Sequence, residues 1–357
     1  SPKKCRSWGW IEGCVPRSQR FTAAPAHPTG GTTARRLEKT NLMHQKPGRV
    51  TIQMMGGLGN QLFQIFALLG YALHQECPYF LETKIRGPRK TAYWNSIFRS
   101  LKPVLEQPTM IRTAHWEVHK LLKRLVNVSP ARQRVFREAH YHYVPIPRFA
   151  ARGDVKMVGY FQSYRYFDRY KSGIFRLLEL ESLENEILRK TSYDYDNTAS
   201  LHFRIGDYEP LKDYHPVMPI EYYQRALSQL AKDTEKDSWN VLCFCEDKDR
   251  DIMSRKIPAL RELFPNMTFE KINGQLADWE QVLAMALCRH HVIANSTFSW
   301  WGAYLDGSDG KKVYYPDIWF GPKYKDFNTK DLCPESWRGI DWDRNTITKK
   351  MRELGAD

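Results

Sequence analysis

A histidine, an arginine and an aspartate fall close together in the stretch Leu201-His202-Phe203-Arg204-Ile205-Gly206-Asp207-Tyr208. Leu201, Phe203 and Ile205 alternate with His202 and Arg204, which predicts a strand with the apolar set on one face and His202 and Arg204 together on the other. Gly206 breaks the strand, and Asp207 follows where the chain leaves the sheet, the place where open α/β sheets bind their ligands. An imidazole, a permanent cation and a carboxylate converging at a strand end could hold an anionic group and handle a proton. Taken alone, the pattern would suit a salt-bridged strand terminus equally well.

A second stretch supplies the complement. After an apolar run over 290–294 the chain reads Asn295-Ser296-Thr297-Phe298-Ser299 and continues with helical spacing. Backbone N–H groups at a helix start have no partners within the helix, and with hydroxyls beside them they make an anion site suited to a diphosphate. An ordinary N-cap by Ser or Asn is the plain alternative. Arg204 would bind the same diphosphate through two parallel hydrogen bonds. A cation and a helix start arranged beforehand would stabilise charge growing on a diphosphate leaving group without a metal. Asp207, Glu209, Asp213 and His215 all stand near enough in sequence to act as general base, and the residues do not rank them. Asn295-Ser296-Thr297 is also a glycosylation sequon, but a buried turn argues against its use.

The third stretch is Gly56-Gly57-Leu58-Gly59-Asn60-Gln61, directly after the alternating Val50, Ile52 and Met54. It reads as a tight turn between a strand and a helix that Asn60 caps, with Leu62, Phe63, Ile65, Phe66, Leu69 and Leu73 giving the apolar face. It has neither the Lys-Ser/Thr of a P-loop nor the spacing of a dinucleotide fingerprint.

These stretches resemble a known family. Residues 202–208 are similar to the HxRRGDY motif of the GDP-fucose-dependent fucosyltransferases of family 11. Gly56 to Gln64, Asn295 to Leu305 and, more weakly, Gly159-Tyr160-Phe161-Gln162-Ser163 match further motifs of that family in the same order. Where the family carries a second arginine this chain has Ile205, which by the alternation faces away from His202 and Arg204.

The resemblance implies an α/β fold of two Rossmann-like domains facing across a cleft, the GT-B-like glycosyltransferase architecture. It implies an inverting enzyme that moves L-fucose from GDP-fucose to the 2-hydroxyl of galactose. Arg204, Asp207 and His202 would be catalytic. Gly57, Gly59, Asn60, Gln61, Asn295, Ser296, Thr297 and Ser299 would bind the donor, with Glu246 and Asp278 as acceptors for guanine and ribose. Tyr160 and Gln162 would meet the acceptor sugar. No cofactor and no metal are expected; the partners are GDP-fucose and a galactose-terminated glycan.

Charge and composition bound the alternatives. The net charge of +14 invites a nucleic-acid or polyanion reading, yet residues 1–42 carry eight basic and two acidic side chains and so supply +6 of it. That leader is rich in Ser, Thr, Pro, Gly and Arg without apolar periodicity, has no apolar core of a secretory signal, and is expected to be disordered and dispensable. The body carries no nucleic-acid motif, so no nucleic-acid partner is expected. No apolar run approaches the ~18 residues of a membrane span, which leaves room only for peripheral association with membranes. Seven cysteines without a CxxC pair suggest free thiols in a reducing compartment, hence a cytoplasmic protein.

The elements needed to position these groups are legible mainly in the second half. Strands over 198–205, 240–245, 267–272, 290–294 and 312–315 alternate with helices opened by Pro219, over 250–264, capped by Asp278, and from 297. Alternation of that kind predicts a parallel sheet covered on both faces. The expected divisions are a leader over 1–48, an acceptor-side domain over 49–190 and a donor-side domain over 191–357. Helices are also expected near 93–101, 115–126 and 343–354, and the interval 84–154 shows no chemical signature. The triplets Asp194-Tyr195-Asp196 and Asp247-Lys248-Asp249 keep open a metal-dependent nucleotide-sugar transferase.

Overall fold

The computed structural model describes residues 48–87, 91–106, 134–149 and 153–342. All of the leader except residue 48, and the helices expected over 115–126 and 343–354, lie outside these residues. In the first half, β1 (Val50–Ile52), α1 (Leu58–Gln75), β2 (Leu81–Glu82), β3 (Leu105–Glu106), β4 (Arg134–Arg137) and β5 (Val155–Val158) precede α2 (Lys171–Leu177) and α3 (Leu180–Lys190). β5 lies between β1 and β4 and is parallel to both; β2 and β3 form a separate parallel pair. The helix expected near 93–101 is instead a short 3-10 turn, Arg99–Val104, with Pro103 inside it.

The second half runs β6 (Thr198–His202), α4 (Ile220–Thr234), β7 (Asn240–Phe244), α5 (Arg250–Leu263), β8 (Thr268–Lys271), α6 (Asp278–Leu287), β9 (His290–Val292), α7 (Thr297–Leu305), β10 (Val313–Pro316) and β11 (Arg338–Ile340). Its six strands are all parallel, in the order β11-β10-β9-β6-β7-β8. The first strand of the series is therefore central, and chain order reverses between β6 and β9. Loops leaving those two strands diverge and open a crevice at their carboxyl ends. The halves form two parallel, Rossmann-like α/β layers, and segments that follow β1, β4, β5, β6, β7, β9 and β10 all line one cleft.

β6 is shorter than the alternation predicted, yet the alternation continues past its end. The Phe203 N–H still donates to the Phe244 carbonyl at 2.8 Å. Phe203 and Ile205 are buried in the core, whereas His202 and Arg204 border the cleft. Tyr223 fixes this exit by donating its hydroxyl to the His202 carbonyl at 3.2 Å.

α1 is buried nearly all round because it is covered twice, by β1 and by α7. Phe63 lies 4.5 Å from Trp300, Phe66 lies 4.4 Å from Trp301, and Trp301 donates its indole N–H to the Gly59 carbonyl at 2.8 Å. The helix opens at Leu58 with Gly57 as its N-cap, so Asn60 does not cap it as expected. Asn60 sits in the first turn, with its side chain directed across to α7. Gly59 is where the two helices touch: a Cβ there would lie 2.6 Å from the Thr297 backbone. Helix propensity favours Gly59→Ala by up to about 1 kcal/mol, but overpacking costs about 1–3 kcal/mol, so the substitution should lower the melting temperature. Gly173→Ala, with nothing nearer than 3.8 Å, should hold or raise it. Thermal melts of the two variants check the contrast.

Among the described residues no helix is long and apolar enough to cross a membrane, and the five described cysteines are free thiols.

Candidate active site

The cleft has a volume of about 1240 Å³. On the second-half side its wall begins at the end of β6. Burial, and next the nearby Arg204, push the His202 imidazole down to about 3, so it is neutral; its Nδ1 is buried without a partner. Two residues on, Arg204 is held by Asp207 at one terminal nitrogen and by Glu246 at the other. Lys248 bonds the second Glu246 oxygen at 2.8 Å, and the Tyr208 ring lies 5.2 Å from the guanidinium centre. The Arg204 Nε is buried without a partner. The guanidinium is thus rigidly presented, with its terminal nitrogens engaged by carboxylates that an incoming anion must displace or share.

β9 is the neighbour of β6, so its exit brings the start of α7 beside this cluster. Ser296 caps α7, accepting the Phe298 N–H at 3.4 Å. Asn295 is a brace: its side-chain NH₂ donates to the carbonyls of Pro216 at 2.9 Å and Trp319 at 3.1 Å, and its backbone carbonyl accepts the Tyr208 hydroxyl at 3.0 Å. Thr297 reaches across to Asn60, donating its hydroxyl to Oδ1 at 3.2 Å. The same oxygen accepts from Gln162 at 2.9 Å, and Gln162 in turn accepts from the Tyr141 hydroxyl. A hydrogen-bonded chain of Thr297, Asn60, Gln162 and Tyr141 therefore joins the two halves along the cleft.

The predicted residues divide accordingly. His202, Arg204, Asp207, Glu246, Asp278, Asn295, Ser296, Thr297, Gly57, Gly59, Asn60, Tyr160 and Gln162 all line the cleft. Gln61 and Ser299 do not. Gln61 is buried and donates to the carbonyls of Gly56 at 3.0 Å and Thr91 at 2.9 Å, because the glycine turn leaves carbonyls that need a donor. Ser299, also buried, bonds back to the Ser296 carbonyl at 3.3 Å. Asp278 is the first residue of α6 and not its cap; it accepts the Tyr93 hydroxyl and the Trp279 N–H.

Of the general-base candidates, Glu209 pairs with Lys212 at 2.7 Å and Asp213 with Lys323 at 3.7 Å, both away from the cleft lining. His215 does line it, stacked 4.8 Å from Tyr208. Its proton affinity is lowered by burial first, with Asp207 opposing and Arg204 adding to the shift. The Asp-x-Asp triplets do not converge as ligand pairs. Asp194 and Asp196 lie before β6, at the opposite end of the strand from the cleft. Asp247 pairs with Arg250 at 2.9 Å, while the buried Asp249 accepts the Gly206 N–H at 2.9 Å. Among the described residues no cluster of three His, Cys, Asp or Glu side chains is placed to hold a metal ion.

Several lining residues had no signal in the sequence: Tyr93, Glu138 and Tyr141 from the first half, Phe320, Tyr324 and Phe327 from the second. Tyr141 stacks 5.1 Å from Phe327 across the cleft. Most of them sit on irregular segments or after the four-residue edge strand β4, where too few positions exist for a period to show.

The family described as "Glycosyl transferase family 11" matches residues 14–341. The Escherichia coli O-antigen biosynthesis glycosyltransferase WbnK is 26% identical over 80% of this chain and 98% of its own length. An Escherichia coli alpha-1,2-colitosyltransferase is 27% identical over 82% and 99%. A Caenorhabditis elegans galactoside 2-alpha-L-fucosyltransferase is 26% identical over 83% and 80%.

Proposed function

Because the chain belongs to glycosyl transferase family 11, and so is a glycosyltransferase, we propose that it moves L-fucose from GDP-fucose to the 2-hydroxyl of a terminal galactose, with inversion. The observation that carries this reading is the convergence of Arg204 and the start of α7 where strand order reverses in the six-stranded sheet. The diphosphate is assigned to that point, its charge met by the guanidinium and the helix start. Guanine and ribose are assigned to Glu246 and Asp278, which would share their present partners with the nucleotide, the transferred sugar to Asn60, and the acceptor sugar to Gln162. Tyr160, whose exposed ring stands on the cleft wall, is assigned to the acceptor. Two of the relatives are named for transfer to a 2-position, which supports the linkage.

On this reading, breaking the bond between the anomeric carbon and the diphosphate oxygen builds negative charge on the β-phosphate. Arg204 and the α7 start face that charge before it forms, so the cost of reorganising water is avoided. His202, neutral and buried behind Arg204, adds a hydrogen-bonding edge without competing charge. The reaction is accordingly read as metal-independent: transfer should proceed at an unchanged rate in excess chelator, and loss of activity restored by Mn or Mg would reverse that assignment.

A panel of nucleotide sugars, including GDP-fucose and a nucleotide of colitose, assayed with galactose-terminated acceptors, tests the substrates. Transfer from GDP-fucose to yield a 1,2-linkage is expected. Preference for another donor refutes the donor, and a different linkage refutes only the acceptor position.

A further inference from the structure

Glu138 follows β4 directly, on the wall of the cleft that the first half contributes. Its Oε2 accepts the backbone N–H groups of Tyr160 at 2.7 Å and Phe161 at 3.0 Å. Phe161 is fully buried with φ of 54°, a left-handed conformation unusual for a bulky side chain, so this turn depends on the carboxylate that ties it down. A Cβ on Gly159 would lie 2.6 Å from the same oxygen, which shows how closely the chain wraps the carboxylate. The other oxygen, Oε1, is buried and has no hydrogen-bond partner among the described residues. A buried carboxylate oxygen left unpaired is costly and calls for an explanation, and on the wall of a cleft a catalytic role is one.

The other cleft carboxylates are committed. Asp207 and Glu246 hold Arg204, Asp247 holds Arg250, and Asp278 accepts from Tyr93 and Trp279. Glu138 has no cationic partner among the described residues. Burial raises its carboxyl above the usual carboxylate range, although the two N–H donors pull the other way. The remaining candidate, the half-buried His215, has its proton affinity lowered by burial, with Asp207 opposing that shift and Arg204 adding to it, and its ring is stacked on Tyr208.

We propose, resting on the glycosyl-transfer reading above, that Glu138 is the general base that receives the acceptor hydroxyl proton at Oε1, with Oε2 anchored by Tyr160 and Phe161. As the acceptor oxygen forms its bond to the anomeric carbon, its proton passes to Oε1. The anomeric carbon–oxygen bond breaks, and its electron pair leaves with the nucleoside diphosphate on the Arg204 side. The neutral Glu138 returns the proton to solvent once the products depart. The reacting carbon is thereby served from both halves of the chain: the base from the first, leaving-group stabilisation from the second.

Glu138→Gln separates this role from that of a structural clamp, because the amide retains an oxygen to accept both backbone N–H groups but cannot take a proton. With the donor that wild type uses best, kcat should fall about a hundredfold or more while both KM values stay within about threefold, and the acid limb of the pH–kcat profile should vanish. A kcat within about threefold of wild type with the acid limb intact would overturn the proposal and leave Glu138 as a clamp. Should Glu138→Gln melt early, Glu138→Ala with added formate decides: concentration-dependent recovery of turnover supports the base, and none opposes it. Wild type is read in the same assay. Turnover with a donor other than GDP-fucose would refute the substrate reading, while the comparison with Glu138→Gln on that donor would still judge the base.

Discussion

Arg204→Ala is expected to lower kcat/KM by about a hundredfold to a thousandfold, the equivalent of about 3–4 kcal/mol of transition-state stabilisation. The guanidinium is the charge placed where the leaving group develops its own, and its side chain is only 11% exposed, so water cannot substitute for it. The structure adds a second reason. Asp207 and Glu246 both bond this arginine, and without it two carboxylates confront each other and the incoming diphosphate, so attraction turns into repulsion. Arg204→Lys should stay well below wild type, since an ammonium is a point charge that cannot span both carboxylates and a phosphate. Ile205→Val is the matched control. Ile205→Arg is not usable despite facing away from the cleft, because Ile205 is 2% exposed within the core and an unpaired cation there would unfold the protein. Steady-state kinetics with thermal melts decide the matter; turnover in Arg204→Ala within about threefold of wild type would remove Arg204 from the site.

The second large effect is on stability. Burial holds His202 at about 3 and His290 at about 4, against an ordinary value of 6.5. Both folded values lie below the unfolded one, so the unfolded chain binds more protons between them. The stabilisation is therefore complete above pH 6.5 and is lost as pH falls toward 4 and then 3. At pH 5 each ring is still neutral when folded and almost wholly protonated when unfolded, which amounts to about 2 kcal/mol apiece, or about 4 kcal/mol for the pair relative to pH 7.5. A protein of ordinary stability, about 5–15 kcal/mol, would feel this strongly. Urea unfolding at pH 7.5 and pH 5 measures it, and His202→Gln should remove about 2 kcal/mol of the dependence. A midpoint that does not move across this interval would show that these rings are solvated.

How much of this was legible in the residues depends on the length of the signal. The strand-helix alternation after residue 198 foretold the parallel sheet, because helices such as Ile220–Thr234 and Arg250–Leu263 are long enough for a helical period to show and they set off the short apolar strand runs between them. The shared face of His202 and Arg204 was likewise readable, since Phe203 and Ile205 point into the core between them. Asn295 and Ser299 show the limit: hydroxyls and amides at a helix start suit ligand and backbone alike, and only coordinates show Asn295 bracing Pro216 and Trp319 while Ser299 bonds its own helix. Glu138 was invisible for another reason. It follows a four-residue strand in a stretch without periodicity, and its significance comes entirely from Tyr160 and Phe161, more than twenty positions away.

The packing of α1 against α7 also bears on how the chain comes into being. Gly59 and Trp301, which touch through a hydrogen bond, are 242 positions apart. Synthesis at about 5–20 residues per second puts roughly ten to fifty seconds between the emergence of the first helix and that of the surface that covers it. Through that interval Phe63, Phe66 and the rest of a helix that ends up buried nearly all round are exposed to water without their partner. Such exposure is what chaperones bind and what aggregation exploits, and long-range closure of this kind is slow to begin with. The contact that aligns the two walls of the cleft is thus also the one that makes the newborn chain wait for its own far end before its first half is safe.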